Sequence, residues 1–368
     1  MKYFEDLFGC SFPFPKYDMV VLPDEALVGS VITAISEQKL LSIETGSDVQ
    51  RFSLVYEALR DLAYTWYGAQ IAFHWWDESW FAKSFSTFAA HDALETLAAL
   101  KDKYPDSWVH FFYEKDRAYA HDHLPSSHPI SVNLKDTSKL ETELDEVSYI
   151  KGAACIKQLA HAVGLDKFWG AVNIFFAKFA WKNATFDDFL REVEVQAKDK
   201  QLKADLDRWK KDWLSTAGYN LLSVDWEPTA EGKLESITIR QEACGEAFPH
   251  TRTHRVQIGF FDSEGNVETM EVRVDEHTKT ISNLPIQTLP VAILLNYNDY
   301  GYAKIKLDDK SLPAYGPIFT VKLQNFITSS NVIILRKLRI LSQELSSGTP
   351  KLIWSMIAMP AVSLLSKL

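Results

Sequence analysis

The sequence predicts a mainly α-helical α+β domain, followed by an all-β sandwich and a short α-helical stub. Three observations predict this order. Apolar residues recur at spacings of three and four through the first part of the 368-residue chain, which is typical of helices. From about Asn220 they alternate with polar residues, and after Pro313 the helical spacing returns. The predicted domains are therefore residues 1–219, 220–312 and 313–368.

Amphipathic segments justify the helical prediction for the first domain. Val49–Gln70 places its apolar side chains along one face of a helix. Thr185, followed by Asp187 and Asp188, predicts the capped start of another helix with acidic residues in its first turn. Lys198–Lys211 is rich in charge, and this pattern is typical of a helix with one solvated face.

Short alternating segments separated by turn residues justify the predicted sandwich. Asp262–Asn266 predicts a turn between two of the strands. The predicted strands are Leu234–Gln241, Arg255–Phe261, Val267–Val274, Val291–Asn296 and Tyr302–Leu307. Beyond them, Val332–Leu345 and Leu352–Leu365 predict helices, the second of which begins at Thr349–Pro350.

Composition and charge exclude several classes of function. Acidic residues outnumber basic residues by 49 to 39, and the net charge of −10 argues against nucleic-acid binding as the main role. The three cysteines are too few and too far apart for a disulfide framework, which fits a reducing compartment. We find no secretory signal, and Leu352–Leu365 is shorter than the roughly 20 residues that span a bilayer. The expectation is an intracellular protein of the cytoplasm or an organelle matrix such as the mitochondrion, not membrane-spanning.

Two segments, Arg60–Gly68 and Trp75–Phe85, carry a spacing and an apolar skeleton that point to a known family. They resemble the zinc aminopeptidases of the aminopeptidase N family, which are gluzincins. In that family the first segment carries His-Glu-x-x-His, and its two His side chains share a helix face and bind zinc. The intervening Glu polarises the metal-bound water, and a Glu from the second segment completes the ligands.

At the positions that this resemblance assigns to the metal site, the chain carries other residues. Arg60 stands at the first His, Asp61 at the Glu, Tyr64 at the second His and Lys83 at the third ligand. Guanidinium and ammonium groups have no lone pair to offer a metal at neutral pH. The interpretation is that these four positions are degenerate, with no metal, no cofactor and no catalytic residue among them.

Further segments extend the resemblance over nearly the whole chain. Val147–Ala153 matches the family segment whose tyrosine, here Tyr149, stabilises the tetrahedral intermediate. The segment from Phe8–Lys16 to Leu22–Asp24 resembles the start of the family's thermolysin-like domain. Trp213–Gly218 and the strands after it resemble the end of that domain and the immunoglobulin-like sandwich that follows. Val28–Ile32 holds no Glu where the family places its amine-binding Gly-x-Met-Glu-Asn loop.

The resemblance also implies that two family domains are missing. The amino-terminal saddle domain is expected to be absent, and so is most of the carboxy-terminal helical domain. Surfaces that those domains cover in the family would then be exposed, and large exposed apolar surface usually marks a protein contact. The expected partners are therefore other protein subunits, bound through these surfaces, and whether a separate chain supplies the saddle domain stays open.

Two interpretations of Arg60, Asp61 and Lys83 are left open. In the first they are a salt-bridged remnant, in which Arg60 or Lys83 fills the place of the metal beside Asp61, because buried charges are tolerated only when they are paired. In the second they form a new catalytic or anion-binding site. The first interpretation fails if both cations point to solvent.

Other chemistry-bearing residues have simple structural interpretations. His121, His123 and His128 suggest a metal site. Their segment contains Pro and Ser, and has only Asp122 as a nearby carboxylate and no Cys, which favours a surface loop. Cys155 lies among apolar residues of a predicted helix, which favours a buried, unreactive thiol over a nucleophile.

Two clusters of apolar residues each have a structural and a functional interpretation. Trp75, Trp76 and Trp80 are interpreted as core packing, with stacking against a ligand as the alternative. Val332–Leu345 holds three cations, so a helix on a membrane surface is the alternative to a helix packed on protein.

The sequence therefore favours a catalytically inactive, aminopeptidase-like protein that serves as a structural or scaffolding subunit of a multiprotein complex. The alternative is a non-hydrolytic peptide-binding or regulatory module that uses the vestigial cleft. An active hydrolase with a rebuilt site is the third hypothesis, although no Ser-His-Asp or Cys-His arrangement is visible in the sequence.

Overall fold

The computed structural model describes residues 1–316 and 318, except 24–26, 29–30, 105–106, 140–143, 199–201, 285 and 287. These residues form two compact units. The first unit comprises Met1–Trp108 and His128–Ser215, and the second comprises Val109–Ser127 and the chain from Thr216 onward. The predicted helices Val332–Leu345 and Leu352–Leu365 lie outside the described residues, as does nearly all of the predicted stub, and the predicted domain limits stay predictions.

Helices dominate the first unit. In chain order, the α-helices of the described residues are α1 (Lys2–Phe8), α2 (Glu37–Thr45), α3 (Asp48–Tyr64), α4 (Ser79–Thr96), α5 (Ala98–Lys101), α6 (Ser107–His121), α7 (Gly152–Val163), α8 (Leu165–Phe179), α9 (Phe186–Ala197) and α10 (Leu202–Leu214). From Val109 onward, α6 belongs to the second unit. Among the helices that the structure describes, none combines the length and the apolar character that crossing a membrane requires.

Several small sheets complete the mixed fold. The strands are β1 (Asp18–Leu22), β2 (Leu27–Val28), β3 (Ile32–Ser36), β4 (Ala72–Phe73), β5 (Asn183–Ala184), β6 (Asn220–Trp226), β7 (Ser236–Ala243), β8 (His254–Phe261), β9 (Val267–Val274), β10 (Thr278–Ser282), β11 (Ala292–Leu295) and β12 (Ala303–Lys306). The first unit holds a sheet in the order β1-β3-β2 and the pair β4-β5. The second unit holds a four-stranded sheet, β10-β7-β6-β12, and a three-stranded sheet, β11-β8-β9.

The strands of the second unit confirm the alternating pattern of the sequence. The predicted strand Val267–Val274 coincides with β9, and the other predicted strands overlap β7, β8, β11 and β12. The predicted turn Asp262–Asn266 closes the hairpin of β8 and β9, where the Asp262 N–H donates to the Asn266 carbonyl oxygen at 3.1 Å. Inward residues of both sheets share one apolar core, as Ile239 of β7 and Ile258 of β8 illustrate with no exposed surface.

Side-chain caps explain where two long helices begin. The Ser47 hydroxyl accepts from the Gln50 N–H while the Gln50 side chain accepts from the Ser47 N–H, so α3 opens with a capping box. Thr185 and Asp188 form the same reciprocal arrangement at the start of α9. The predicted capped start at Thr185 is therefore confirmed.

The end of α3 corrects the predicted helix Val49–Gln70. The helix stops at Tyr64, since Gly68 adopts a φ of 124° and its N–H donates to the Ile71 carbonyl oxygen at 3.0 Å. A Cβ at residue 68 would lie 2.4 Å from the Tyr64 ring, so only glycine permits this close approach. The turn that follows places Tyr64 at the carboxy-terminal end of α3.

A buried lysine fixes α6 within the second unit. The Lys115 ammonium donates to Asp299 Oδ1 at 2.6 Å and to the Gly301 carbonyl oxygen at 3.0 Å. The Lys115 side chain is 1% exposed and that of Asp299 is 12% exposed. Four residues along α6, the Tyr119 hydroxyl donates to the Ala303 carbonyl oxygen at 3.1 Å. The helix is thus bonded to the loop before β12 and to the first residue of that strand.

A buried carboxyl group in α4 makes the stability of the protein depend on pH. Asp92 accepts a hydrogen bond from the Tyr3 hydroxyl at 3.0 Å, and burial raises the pKa of Asp92 from 3.8 to about 6. Between these two values the folded state holds a proton that the unfolded state releases, so stability falls as pH rises through this window. We expect Asp92→Asn to be more stable than the wild type at pH 7.5, by up to about 3 kcal/mol.

Urea unfolding at pH 7.5 and pH 5 measures this effect. The advantage of Asp92→Asn should shrink at pH 5, because the wild-type carboxyl group then carries its proton in the folded state. Asp102→Asn, at an exposed position, is the matched control and should show no such pH dependence. Equal destabilisation by Asp92→Asn at both pH values would contradict the interpretation.

Candidate functional site

The residues that the sequence singled out converge in the first unit. Arg60, Asp61 and Tyr64 lie in the last turns of α3, and Lys83 lies near the start of α4. Tyr149 lies in a single π-helical turn, Val147–Lys151, that leads into α7. The Lys83 Nζ atom lies 5.9 Å from the centre of the Tyr64 ring and 5.4 Å from the centre of the Tyr149 ring. The fold therefore brings the predicted positions to one place.

An ion pair joins the two charged residues of α3. Arg60 Nε and Nη2 donate to Asp61 Oδ1 at 3.1 and 3.0 Å. The Asp61 side chain is 8% exposed and the Arg60 side chain 36%. Burial raises the pKa of Asp61, while the positive charge of Arg60 opposes that shift. Arg60 is thus the cation that lies beside Asp61, in the way that the salt-bridged interpretation requires.

Lys83 is placed differently from Arg60. Within the part of the chain that the structure describes, its ammonium forms no ion pair and no hydrogen bond, and the residue is exposed. The Lys83 ammonium faces the rings of Tyr64 and Tyr149, which limit its contact with water. That desolvation and the nearby charge of Arg60 lower the pKa of Lys83, and Asp61 opposes the shift. Among the described residues, the second cation of the site therefore has no hydrogen-bond acceptor.

The π-helical turn fixes the backbone at Tyr149. The Ser84 hydroxyl of α4 lies within hydrogen-bonding distance of the Tyr149 carbonyl oxygen, at 3.0 Å, and of the Ser148 carbonyl oxygen, at 3.3 Å. A Cβ at Gly152 would lie 2.2 Å from Ser84 Oγ, so this approach requires glycine. Burial raises the pKa of Tyr149 to about 12. Its hydroxyl therefore keeps its proton at neutral pH and is able to donate a hydrogen bond.

The structure adds residues that the sequence analysis missed. The Tyr17 hydroxyl forms a hydrogen bond with the Thr33 hydroxyl of β3. Burial raises the pKa of Tyr17, and the negative charge of Asp61 adds to that rise, which places Tyr17 near the ion pair of α3. No local pattern around Tyr17 indicates this, because only the tertiary fold brings the segment before β1 close to α3.

The residues at this site do not fit a zinc ion. Arg60 and Lys83 offer no lone pair at neutral pH, and the Asp61 carboxylate is engaged by Arg60. In the described ranges, no group of three His, Cys, Asp or Glu side chains is arranged to hold a metal ion. These side chains therefore offer a zinc ion no set of ligands.

The predicted histidine loop has a structural role at one position. His121 is the last residue of α6 and is exposed, and His123 is exposed two residues beyond it. His128 Nε2 lies 3.3 Å from Asp145 Oδ1. Burial alone would raise the pKa of Asp145, but His128 and the N–H groups of Val147 and Ser148 hold it below its usual value. The prediction that Cys155 is buried is confirmed, since it has no exposed surface.

The tryptophan cluster corrects one prediction. Trp80 is buried in α4, with 1% of its surface exposed, as core packing requires. Trp75 and Trp76 are 41% and 40% exposed, so they are not core residues. They precede α4, in a turn and a 3₁₀ segment, and thus lie outside the helical register that buries Trp80.

The comparisons with known proteins agree with this arrangement of segments. The sequence profile of the Peptidase family M1 domain matches residues 1–209. Aminopeptidase N of Streptomyces lividans is 32% identical over 324 residues, which are 84% of this chain and 37% of that protein. Tricorn protease-interacting factor F2 of Thermoplasma volcanium is 24% identical over 315 residues, again 84% of this chain and 37% of that protein. Leucyl aminopeptidase of Saccharolobus solfataricus is 27% identical over 232 residues, 61% of this chain and 28% of that protein.

The family profile covers more than half of the chain, and it falls on the residues that build the site. The chain belongs to peptidase family M1. The predicted resemblance to the aminopeptidase N-like gluzincins is confirmed. The chain spans less than two fifths of the length of these relatives, as the 37% coverage of the Streptomyces protein shows.

The same comparisons contradict the predicted function. Two of the three relatives are named as aminopeptidases, Aminopeptidase N and Leucyl aminopeptidase. Nothing in them supports a scaffolding role, so the prediction of a catalytically inactive scaffolding subunit, with its non-hydrolytic alternative, is wrong. That prediction rested on the residues at positions 60, 61, 64 and 83. Their side chains decide whether a zinc ion binds there, but they do not decide the reaction of the whole protein.

Proposed function

We propose that this chain acts on peptides, as a peptidase of family M1. One observation carries the proposal: the profile of the Peptidase family M1 domain matches residues 1–209. The similarity to a protein named Aminopeptidase N, over 324 residues, supports it. The site described above lies within that matched segment. The substrate class is therefore peptides, and the activity proposed is the release of amino acids from them.

The finer fold assignment is part of this proposal. We assign the first unit to a thermolysin-like domain and the two sheets of the second unit to an immunoglobulin-like sandwich. Mostly helical structure in the first unit supports the former. A core shared by a four-stranded and a three-stranded sheet supports the latter. The intracellular location and the protein partners predicted from the sequence stay predictions.

Tyr149 is the residue to which we give a role toward a bound peptide. Its hydroxyl makes no hydrogen bond to the residues that the structure describes, and its raised pKa, about 12, keeps it a donor at neutral pH. A donor of this kind stabilises negative charge that develops on the oxygen of a peptide carbonyl group during attack. The resemblance to the family assigns the same role to this tyrosine.

The proposal is tested by the release of amino acids from a peptide library, followed by mass spectrometry with the full chain. Tyr149→Phe keeps the ring and removes only the hydroxyl, so we expect turnover to fall about 100-fold. Tyr104→Phe, at a half-buried position outside the site, is the matched control and should leave turnover unchanged. An absence of product from every peptide would overturn the proposed peptidase function. Equal turnover by Tyr149→Phe and Tyr104→Phe would show that the Tyr149 hydroxyl takes no part in the reaction.

A further inference from the structure

We propose that Lys83 and Tyr149 form a binding site for a carboxylate group of a peptide. The inference rests on the proposed function for its source of carboxylates, but the site itself follows from the contacts of the side chains. The proposal specifies that the site accepts a negatively charged group of the substrate.

Within the described residues, the donors of Lys83 and Tyr149 have no hydrogen-bond acceptor. The Lys83 ammonium lies 5.4 Å from the centre of the Tyr149 ring and 5.9 Å from that of Tyr64. Across the described ranges, neither tyrosine hydroxyl and none of the ammonium protons meets an acceptor of the protein. Lys83 is exposed and both tyrosines are half-buried, so a ligand is able to reach these donors.

The charge of the site selects an anion. The charged groups that act on Lys83 are Arg60 and Asp61, and these two already neutralise each other in an ion pair. Of these three groups, Lys83 is the one whose charge is not neutralised by an ion pair within the described residues. A carboxylate matches that charge and accepts hydrogen bonds from both an ammonium and a phenol. A free amino group of a peptide would instead be repelled.

The protein environment also favours an interaction with an anion at this point. Asp61 is held by Arg60 through two hydrogen bonds to the same oxygen, so it is not available to pair with Lys83. Desolvation of the ammonium strengthens its attraction for an anion that enters the site, since the local dielectric constant is lower than that of water. The ligand class is therefore the carboxylate of a peptide, either at its carboxy terminus or on an acidic side chain.

Calorimetric titration of the full chain tests the proposal with three blocked probes. N-acetyl-Ala-Ala carries a terminal carboxylate, N-acetyl-Ala-Ala-amide carries none, and N-acetyl-Glu-amide carries only a side-chain carboxylate. We expect at least one of the two acids to bind about tenfold more tightly than the neutral amide. The acid that binds more tightly identifies the source of the carboxylate.

Substitutions at Lys83 and Tyr149 test whether these residues cause the preference for the acid probes. Lys83→Met should abolish the preference for the acid, Lys83→Arg should retain most of it, and Tyr149→Phe should reduce it severalfold. Lys167→Met removes another exposed lysine, on α8, and should bind like the wild type. Circular dichroism confirms that each variant is folded.

Several results would overturn the proposal. These are equal binding of the acids and the amide by the wild type, an undiminished preference in folded Lys83→Met, or tighter binding of inorganic phosphate than of either acid. The comparison of probes on the wild type is decisive even if Lys83→Met does not fold. A failure of peptide hydrolysis alone would overturn the proposed function and leave the carboxylate site standing.

Discussion

The triple variant Arg60→His, Tyr64→His and Lys83→Glu is expected to bind a zinc ion, with the metal content of the dialysed protein rising to about one ion per chain. Two His side chains four residues apart share a face of α3. The position of Lys83 on α4 lies opposite that face, because its ammonium approaches the Tyr64 ring to 5.9 Å. The variant thereby supplies three ligands and removes two positive charges.

Atomic emission spectroscopy of the dialysed protein measures the bound zinc. The matched control carries Arg60→His and Lys83→Glu but keeps Tyr64, so it lacks one of the three ligands. It should show little of the rise in zinc content. A thermal shift on adding zinc provides a second readout, because a ligand that binds only the folded state stabilises it. If the triple variant folds and takes up no zinc, positions 60, 64 and 83 do not converge as described.

Replacement of Lys115 by methionine is expected to lower the free energy of unfolding by about 3–5 kcal/mol. The substitution keeps the length of the side chain and removes its charge. Asp299 would then remain nearly buried without its cation, and the Gly301 carbonyl oxygen would keep only its hydrogen bond from the Asn296 side-chain amide. An uncompensated buried charge is far more costly than the loss of a pair on the surface.

Urea denaturation measures this loss, and two further variants control it. Lys115→Met combined with Asp299→Asn removes both charges and should recover part of the lost stability. Lys167→Met, at an exposed position with no ion pair recorded within the described residues, should change stability by less than about 0.5 kcal/mol. A loss in Lys115→Met no larger than in Lys167→Met would show that the buried ion pair does not stabilise the second unit.

Local patterns predicted the secondary structure well where the physical cause is local. The capping side chains at Thr185 and the alternation in Val267–Val274 act over a few residues, and both predictions are confirmed. The end of α3 was mispredicted because apolar spacing continues through Trp66, whereas the backbone is turned by Gly68. The exposure of Trp75 also depends on tertiary structure, since nothing in its neighbourhood in sequence separates it from buried Trp80.

The candidate site was predicted in position but not in its contacts. The resemblance to the aminopeptidase N family assigned residues 60, 61, 64 and 83 to one site, and the structure brings them together. Which cation pairs with Asp61 could not be predicted, because that depends on side-chain conformations and on burial. The class of function was also mispredicted. That prediction was drawn from the side chains at positions 60, 61, 64 and 83, which constrain metal binding far more than they constrain a reaction.

The path of the chain between its two compact units limits how the protein is divided into fragments. The segment Val109–Ser127 belongs with the chain from Thr216 onward, although His128–Ser215 returns to the first unit. No single backbone cut therefore releases either unit intact. A fragment that starts at Thr216 would lack Lys115 and leave the Asp299 carboxylate without its counter-ion. Recombination of homologous domains would have to exchange the α6 segment together with the sheets, as an interleaved module rather than a contiguous one.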